Sequence, residues 1–129
     1  MAVNYSRTEG RGIYYRGNDR VLARALVGSL ARIYDTHDAI RNISFQFCDF
    51  SGATATDAAY ADIRKMADMD RQALGVNPDM QIVMLCESDL TFGLARVWES
   101  LTYGGAARPR VFRTRQAAEE ALHRFLLPA

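Results

Sequence analysis

The chain has 129 residues, of which 49% are hydrophobic and 24% charged. That mix excludes a disordered or fibrous chain, and the length buries roughly two-thirds of the extended surface in a single domain spanning residues 1–129. Sixteen basic residues against fifteen acidic ones leave a net charge of +1, so no global field draws the chain to nucleic acid or to an anionic membrane. The longest apolar run, Ile82 to Cys86, is far too short for a membrane span. The first dozen residues are polar and carry no hydrophobic leader segment. Cys48 and Cys86 are too few for a disulfide scaffold or a zinc site, and both fall in apolar segments. A reducing, cytoplasmic setting with two buried thiols is the expectation.

Val3 to Thr8 alternates in strand fashion, Gly10 and Gly12 supply a turn, and Ile13 to Tyr15 reads as a second strand, so the chain opens on a hairpin. Gly17-Asn18-Asp19 ends it and offers an N-cap. Leu22, Leu26, Leu30 and Ile33 then recur at helical spacing. A third strand places Ile43, Phe45 and Phe47 on one side and Ser44, Gln46 and Cys48 on the other. After the Asp49-Phe50-Ser51-Gly52 turn, a second helix is expected from Thr54 or Thr56 to about Leu74, with Tyr60, Ile63, Ala67 and Leu74 inward. Gly75, Asn77 and Pro78 stop it. Met80 to Cys86 is apolar almost throughout, as in a strand buried on both faces. Ser88 caps a third helix whose Leu90, Leu94, Val97, Trp98 and Leu101 share a face, and Gly104-Gly105 ends it. A strand over Arg110–Arg113 and a helix from Thr114 to Leu127 close the chain.

The order ββαβαβαβα predicts an α/β fold with a mixed, mainly parallel five-stranded sheet and four helices. Working groups of such sheets gather where strands end and helices begin. That rim carries Asn18, Asp19, Asp49, Ser51, Thr54, Thr56, Asp57, Glu87, Ser88 and Asp89. They read either as helix caps, with Thr54 and Asp57 close to a capping box, or as a convergent metal or phosphate site. A receiver domain is excluded, because the chain starts with a hairpin and its lone lysine, Lys65, falls in the second helix.

His37 and His123 have no metal-ligand spacing and no serine or cysteine partner, so both read as surface histidines. No phosphate-binding glycine loop and no nucleophile elbow occurs. Arg108, Arg110, Arg113 and Arg115 form the densest positive cluster, but strand alternation points Arg110 and Arg113 to opposite faces. Gly93, early in the third helix, costs up to about 1 kcal/mol against alanine. Close approach of a backbone or ligand, or packing beneath Phe92, would compensate.

The run Ile82-Val83-Met84-Leu85-Cys86-Glu87-Ser88-Asp89-Leu90-Thr91-Phe92-Gly93-Leu94-Ala95-Arg96-Val97-Trp98-Glu99 resembles small bacterial STAS-like proteins, in which a strand, Ser-Asp, Phe-Gly-Leu-Ala-Arg and an aromatic-Glu pair follow one another. Val111-Phe112-Arg113, Glu120-Ala121-Leu122 and Phe125-Leu126 agree with that group's last strand and helix. Asp49-Phe50-Ser51-Gly52 falls where STAS domains carry an Asp-Leu-Ser-Gly turn. The resemblance implies a STAS-like fold. In anti-sigma-factor antagonists of the wider family, a phosphorylatable serine sits in an Asp-Ser-Ser-Gly turn at the start of the second helix. With Asp57 on that aspartate, Ala58 and Ala59 replace the serines, and the phospho-switch is not expected here.

Two functions follow as expectations. One is a non-catalytic regulatory or protein-interaction module without cofactor or metal, forming a homodimer through Tyr5, Tyr14 and Tyr15 or binding a regulatory partner, with Thr56, Asp57, Ser88 and Arg96 as its partner-binding residues. The other is a binder of a small hydrophobic or anionic ligand, in a cleft at the N-termini of the second and third helices lined by Thr56, Asp57, Ser88 and Arg96; kinship of the STAS group with lipid-transfer domains lends weight to the hydrophobic option. An enzyme ranks third, since no nucleophile–base pair can be named.

Overall fold

The computed structural model describes residues 4–104 and 109–126, with the backbone alone for residues 4–9. In chain order the elements are β1 (Asn4–Glu9), β2 (Gly12–Gly17), β3 (Asp19–Val21), α1 (Ala23–Ile33), α2 (His37–Arg41), β4 (Phe45–Asp49), β5 (Ala53–Thr56), α3 (Tyr60–Val76), β6 (Gln81–Leu85), α4 (Asp89–Tyr103), β7 (Val111–Phe112) and α5 (Arg115–Leu126). The main sheet has five strands in the order β1-β2-β4-β6-β7. Only β1 runs antiparallel to its neighbour, and β2, β4, β6 and β7 are mutually parallel. This is the mixed, mainly parallel sheet that the sequence predicts. The hairpin turns at Gly10, whose φ of +60° is open to glycine at no steric cost. Val3, Gly105 and Arg108 of the predicted elements lie outside the described residues.

Three elements, β3, β5 and α2, depart from the expected order in two places. The segment expected to begin the second helix is instead β5, which pairs in parallel with β3 in a separate two-stranded sheet. The helix itself, α3, starts at Tyr60. A tertiary contact overrides the helical reading: the Asp19 amide donates to the Gly52 carbonyl at 2.8 Å. At Gly52 a Cβ would come within 2.3 Å of Asn18 Oδ1. Glycine thus lets the two turns touch, and the chain leaving them runs extended beside Asp19–Val21. The second departure is α2, in a connection for which no helix is predicted; Thr36 caps it by accepting the Ala39 amide at 3.0 Å. The described residues therefore form five helices and seven strands, not four and five.

Strand alternation sorts the sheet residues between two faces. Ile13, Tyr15, Cys48, Ile82 and Met84 face α1, α3 and α4, and they form one core with Leu26, Leu30, Ile63, Met66, Ala95 and Trp98. Tyr14, Phe45, Phe47, Val83, Leu85 and Phe112 face the other way, against Ala118, Leu122 and Phe125 of α5. Ile43 precedes β4 and packs into the first core, so it does not share a side with Phe45 and Phe47 as the alternation suggested. The strand over Met80–Cys86 is internal as expected, and Leu85 is fully buried. Cys48 and Cys86 are buried free thiols. Burial drives the Cys48 pKa upward and that of Cys86 up to about 12, so both stay protonated at neutral pH.

Candidate functional site

At the helix N-termini the hydroxyls and carboxylates are bound up in holding the chain together. Thr56 sits in β5; its hydroxyl donates to the Val21 carbonyl at 2.7 Å and accepts from the Ala58 amide at 3.1 Å. Asp57 reaches across to α1 and accepts the Ala23 amide at 2.8 Å. Neither Asn18 nor Asp19 caps that helix: its N-cap position is Leu22, which has no side chain for the task. The cap comes from 34 residues downstream, a partnership that sequence spacing cannot reveal. Thr54 is an exposed strand residue and makes no capping box with Asp57. At α3 the reciprocal bond comes from Asp62, whose carboxylate accepts the Ala59 amide at 2.8 Å.

Ser88 caps α4 by accepting the Thr91 amide at 3.1 Å, as its position predicts. Arg96 lies about 12 Å further along that helix. It is exposed, pairs with Glu99 at 3.1 Å and stands over the Phe92 ring at 5.8 Å. Thr56, Asp57, Ser88 and Arg96 therefore serve three separate local structures. Gly93 is exposed, and a Cβ there would meet nothing within 4 Å. Neither close approach nor packing explains this glycine.

The feature that sequence reading missed is a buried polar chain beneath the helices. Gln46 Nε2 donates to the Tyr34 hydroxyl at 2.5 Å, and that hydroxyl donates to Asp70 Oδ1 at 2.6 Å. Trp98 Nε1 donates to Asp70 Oδ2 at 2.8 Å. Asp70 is only 3% exposed. Burial raises its pKa to about 6, although the two donors oppose the shift. The signal was present: Asp70 interrupts the stripe Ile63, Met66, Ala67, Ala73, all buried. A carboxylate at such a position needs partners, and α1 and α4 supply them.

Next to this chain lies a cavity of about 110 Å³ between α1, α3, α4 and the sheet. Tyr15 lines it and is only 6% exposed. Ser29 stands close enough to temper the burial that raises the phenol pKa to about 12, but no described atom meets hydrogen-bond geometry with the hydroxyl. Tyr15 therefore faces the chain's own core and is not a surface residue.

The opposite face carries an open groove of about 490 Å³ between the β2–β4 region and α5. Tyr14 lies on its floor, edge-on to Phe45 with ring centroids 5.4 Å apart and tilted against Phe47 at 6.3 Å. Gly12 makes room for this stack, since a Cβ there would sit 2.2 Å from the Phe45 ring. At one end Asp49, 5% exposed, accepts from the Ser51 hydroxyl at 2.6 Å, the Ser51 amide at 2.9 Å and Arg115 at 2.5 Å. Arg16 adds an ion pair at 3.6 Å. Burial alone would raise the Asp49 pKa; the Ser51 bonds and Arg115 outweigh it and hold the carboxyl below its ordinary value. Of the three tyrosines expected at an interface, Tyr14 is on this groove, Tyr15 borders it but is buried in the opposite core, and the Tyr5 side chain lies outside the described residues.

Two arginines of the C-terminal cluster stand over aromatic rings. Arg110 lies 4.4 Å from both the Tyr103 and Phe125 centroids, and Arg113 lies 4.9 Å from Phe92 while pairing with Asp89. His37 and His123 are exposed. Among the described residues no group of three His, Cys, Asp or Glu side chains is placed to hold a metal ion, and no helix is long and apolar enough to cross a membrane.

No family model matches the chain, and no curated protein matches it in sequence. Among solved structures it is similar to that of SpoIIAA, an anti-sigma factor antagonist, in its unphosphorylated form. The TM-score is 0.59 over 96% of each chain, at 13% sequence identity. A likeness at that identity is a likeness of fold, and the fold is the STAS-like one that the sequence resemblance implied.

Proposed function

We propose that the chain is a non-catalytic regulatory module that acts by binding protein, with the groove on the β2–β4 face as its contact surface and a second copy of itself as the first partner. The observation that carries this reading is the uneven cover of the sheet. Helices α1 to α4 all contribute to the core on one face, whereas α5 alone lies on the other and leaves the Tyr14–Phe45 pair partly exposed. Aromatic surface of this kind, bordered by the Arg16–Asp49–Arg115 cluster, has the apolar centre and charged rim of a protein contact. Tyrosine suits it, with an apolar ring for the partner and a hydroxyl for water. The SpoIIAA structure supports the regulatory reading, because that protein is an anti-sigma factor antagonist of the same fold. A phosphate switch at the start of α3 is not part of the proposal, since Ala58 and Ala59 carry no hydroxyl. A cytoplasmic setting is part of it.

Light scattering at tens of micromolar tests the proposal. A two-fold dimer burying at least about 1,000 Å² is expected, and Tyr14→Glu should give monomers that remain folded. A wild-type protein that stays monomeric, or a Tyr14→Glu variant that still dimerises, would refute the second-copy assignment.

A further inference from the structure

We propose that the cavity beneath α1 is a binding site for a small, neutral, mostly apolar molecule carrying one polar group, and that the Tyr15 hydroxyl is the partner of that group. This inference stands on the helix-covered face alone and is independent of what contacts the β2–β4 groove.

The cavity exists because small side chains converge where large ones would fill the space. Ala53 and Ala55 come from β5, Ala58 from the segment before α3, Ala95 from α4 and Ser29 from α1. Protein interiors seldom leave spaces larger than a water molecule. At about 110 Å³ this one approaches the engineered apolar cavity of about 150 Å³ that admits benzene. The lining residues that retain exposure include Leu26 and Leu30 on α1, Thr56 and Ala58 ahead of α3, and Leu94 on α4. They place its opening between the three helices.

Charge selects against ions. The lining contains no lysine, arginine or histidine. Its one carboxylate, Asp70, already accepts from Tyr34 and Trp98. An anion would be desolvated beside Asp70 with no counter-charge, and an ammonium would give up its water for an aliphatic wall. The anionic ligand expected from the sequence is therefore excluded at this site, and Arg96, the one cation among the residues expected to bind it, is not part of the lining. What the wall does offer is one buried, unpartnered hydroxyl. A buried polar group of this kind calls for a partner, and a ligand with one hydroxyl or carbonyl provides it while its hydrocarbon body meets Leu26, Leu30 and Met66.

The full chain titrated with benzene, phenol and benzoate, followed by amide NMR shifts and thermal unfolding, tests this. Benzene and phenol should bind saturably and raise the melting temperature, and benzoate should not. Tyr15→Phe should weaken phenol about five- to tenfold while leaving benzene unchanged. Ala95→Leu should abolish binding of both; should that variant fail to fold, Ala58→Leu at the opening is expected to do the same. The proposal is overturned if neither benzene nor phenol binds the wild type, if both bind the filled variants equally well, if Tyr15→Phe leaves phenol affinity unchanged, or if benzoate binds as tightly as phenol.

Discussion

On the face beneath α1, α3 and α4, the buried carboxylate of Asp70 is met only by neutral donors, a phenol and an indole. On the face beneath α5, the equally buried Asp49 sits between two guanidinium groups and a serine. The two sites show two ways of keeping an acid inside a protein. Asp70 is enclosed by apolar helices and its charged form is disfavoured, whereas Asp49 lies at the open end of a groove, where solvated arginines can reach it. The degree of helical cover thus sets the chemistry of each site. A face covered by several helices holds a polar chain and a cavity; a face crossed by one helix holds an ion-pair cluster and an open aromatic groove.

The adjacent tyrosines give the sharpest test of that contrast. Tyr15→Ala should lose about 4 kcal/mol, as expected for removing a buried ring. Tyr14→Ala should lose about half as much, because its ring is partly exposed. Urea denaturation would measure both, and equal losses would mean that the two faces are equally covered.

The carboxylates come next. Asp70→Ala strands the Tyr34 hydroxyl and the Trp98 indole and should cost about 3 kcal/mol. The pH dependence should have opposite signs on the two faces. The native Asp70 carboxyl, raised from 3.8 to about 6, binds its proton before the unfolded one does. As pH falls from above about 6 towards 4, this group therefore adds stability, by up to about 3 kcal/mol. The Asp49 pKa is lowered in the fold, so its stabilisation is present above the unfolded value and is lost as pH falls through the folded one. Melting temperatures of Asp70→Asn and Asp49→Asn across pH 3–7 would separate the two: the first should flatten the region between about 4 and 6, the second the acid limb below about 4.

The smallest effect concerns the outer side of α4. Gly93 points away from both cores into open space, so Gly93→Ala should stabilise the fold by up to about 1 kcal/mol without touching either face. A destabilised variant in a thermal melt would show that this glycine has a contact role after all.

Local chemistry made much of this legible. Ser88 was found as a cap because it sits one residue before α4 and its partner is three residues away. The β6 strand announced its burial through an apolar run. Cap assignments failed where the partner is distant: Asp57 serves α1, across 34 residues. The β5 strand was mistaken for helix because Thr54 to Thr56 has no pattern strong enough to resist the Gly52–Asp19 contact that extends it.

By itself the sequence determined which residues alternate, where most helices end, and that the sheet is mostly parallel, because these follow from backbone geometry and near neighbours. Only the tertiary structure decided which side of β4 received the helices. The more polar side, with Gln46 and Cys48, went beneath α1 to α4, and the aromatic side, with Phe45 and Phe47, was left to α5. Alternation assigns residues to faces but contains no term for what covers each face. That choice rests on crossovers and on partners such as Tyr34, Asp70 and Trp98, which are brought together only when the chain closes.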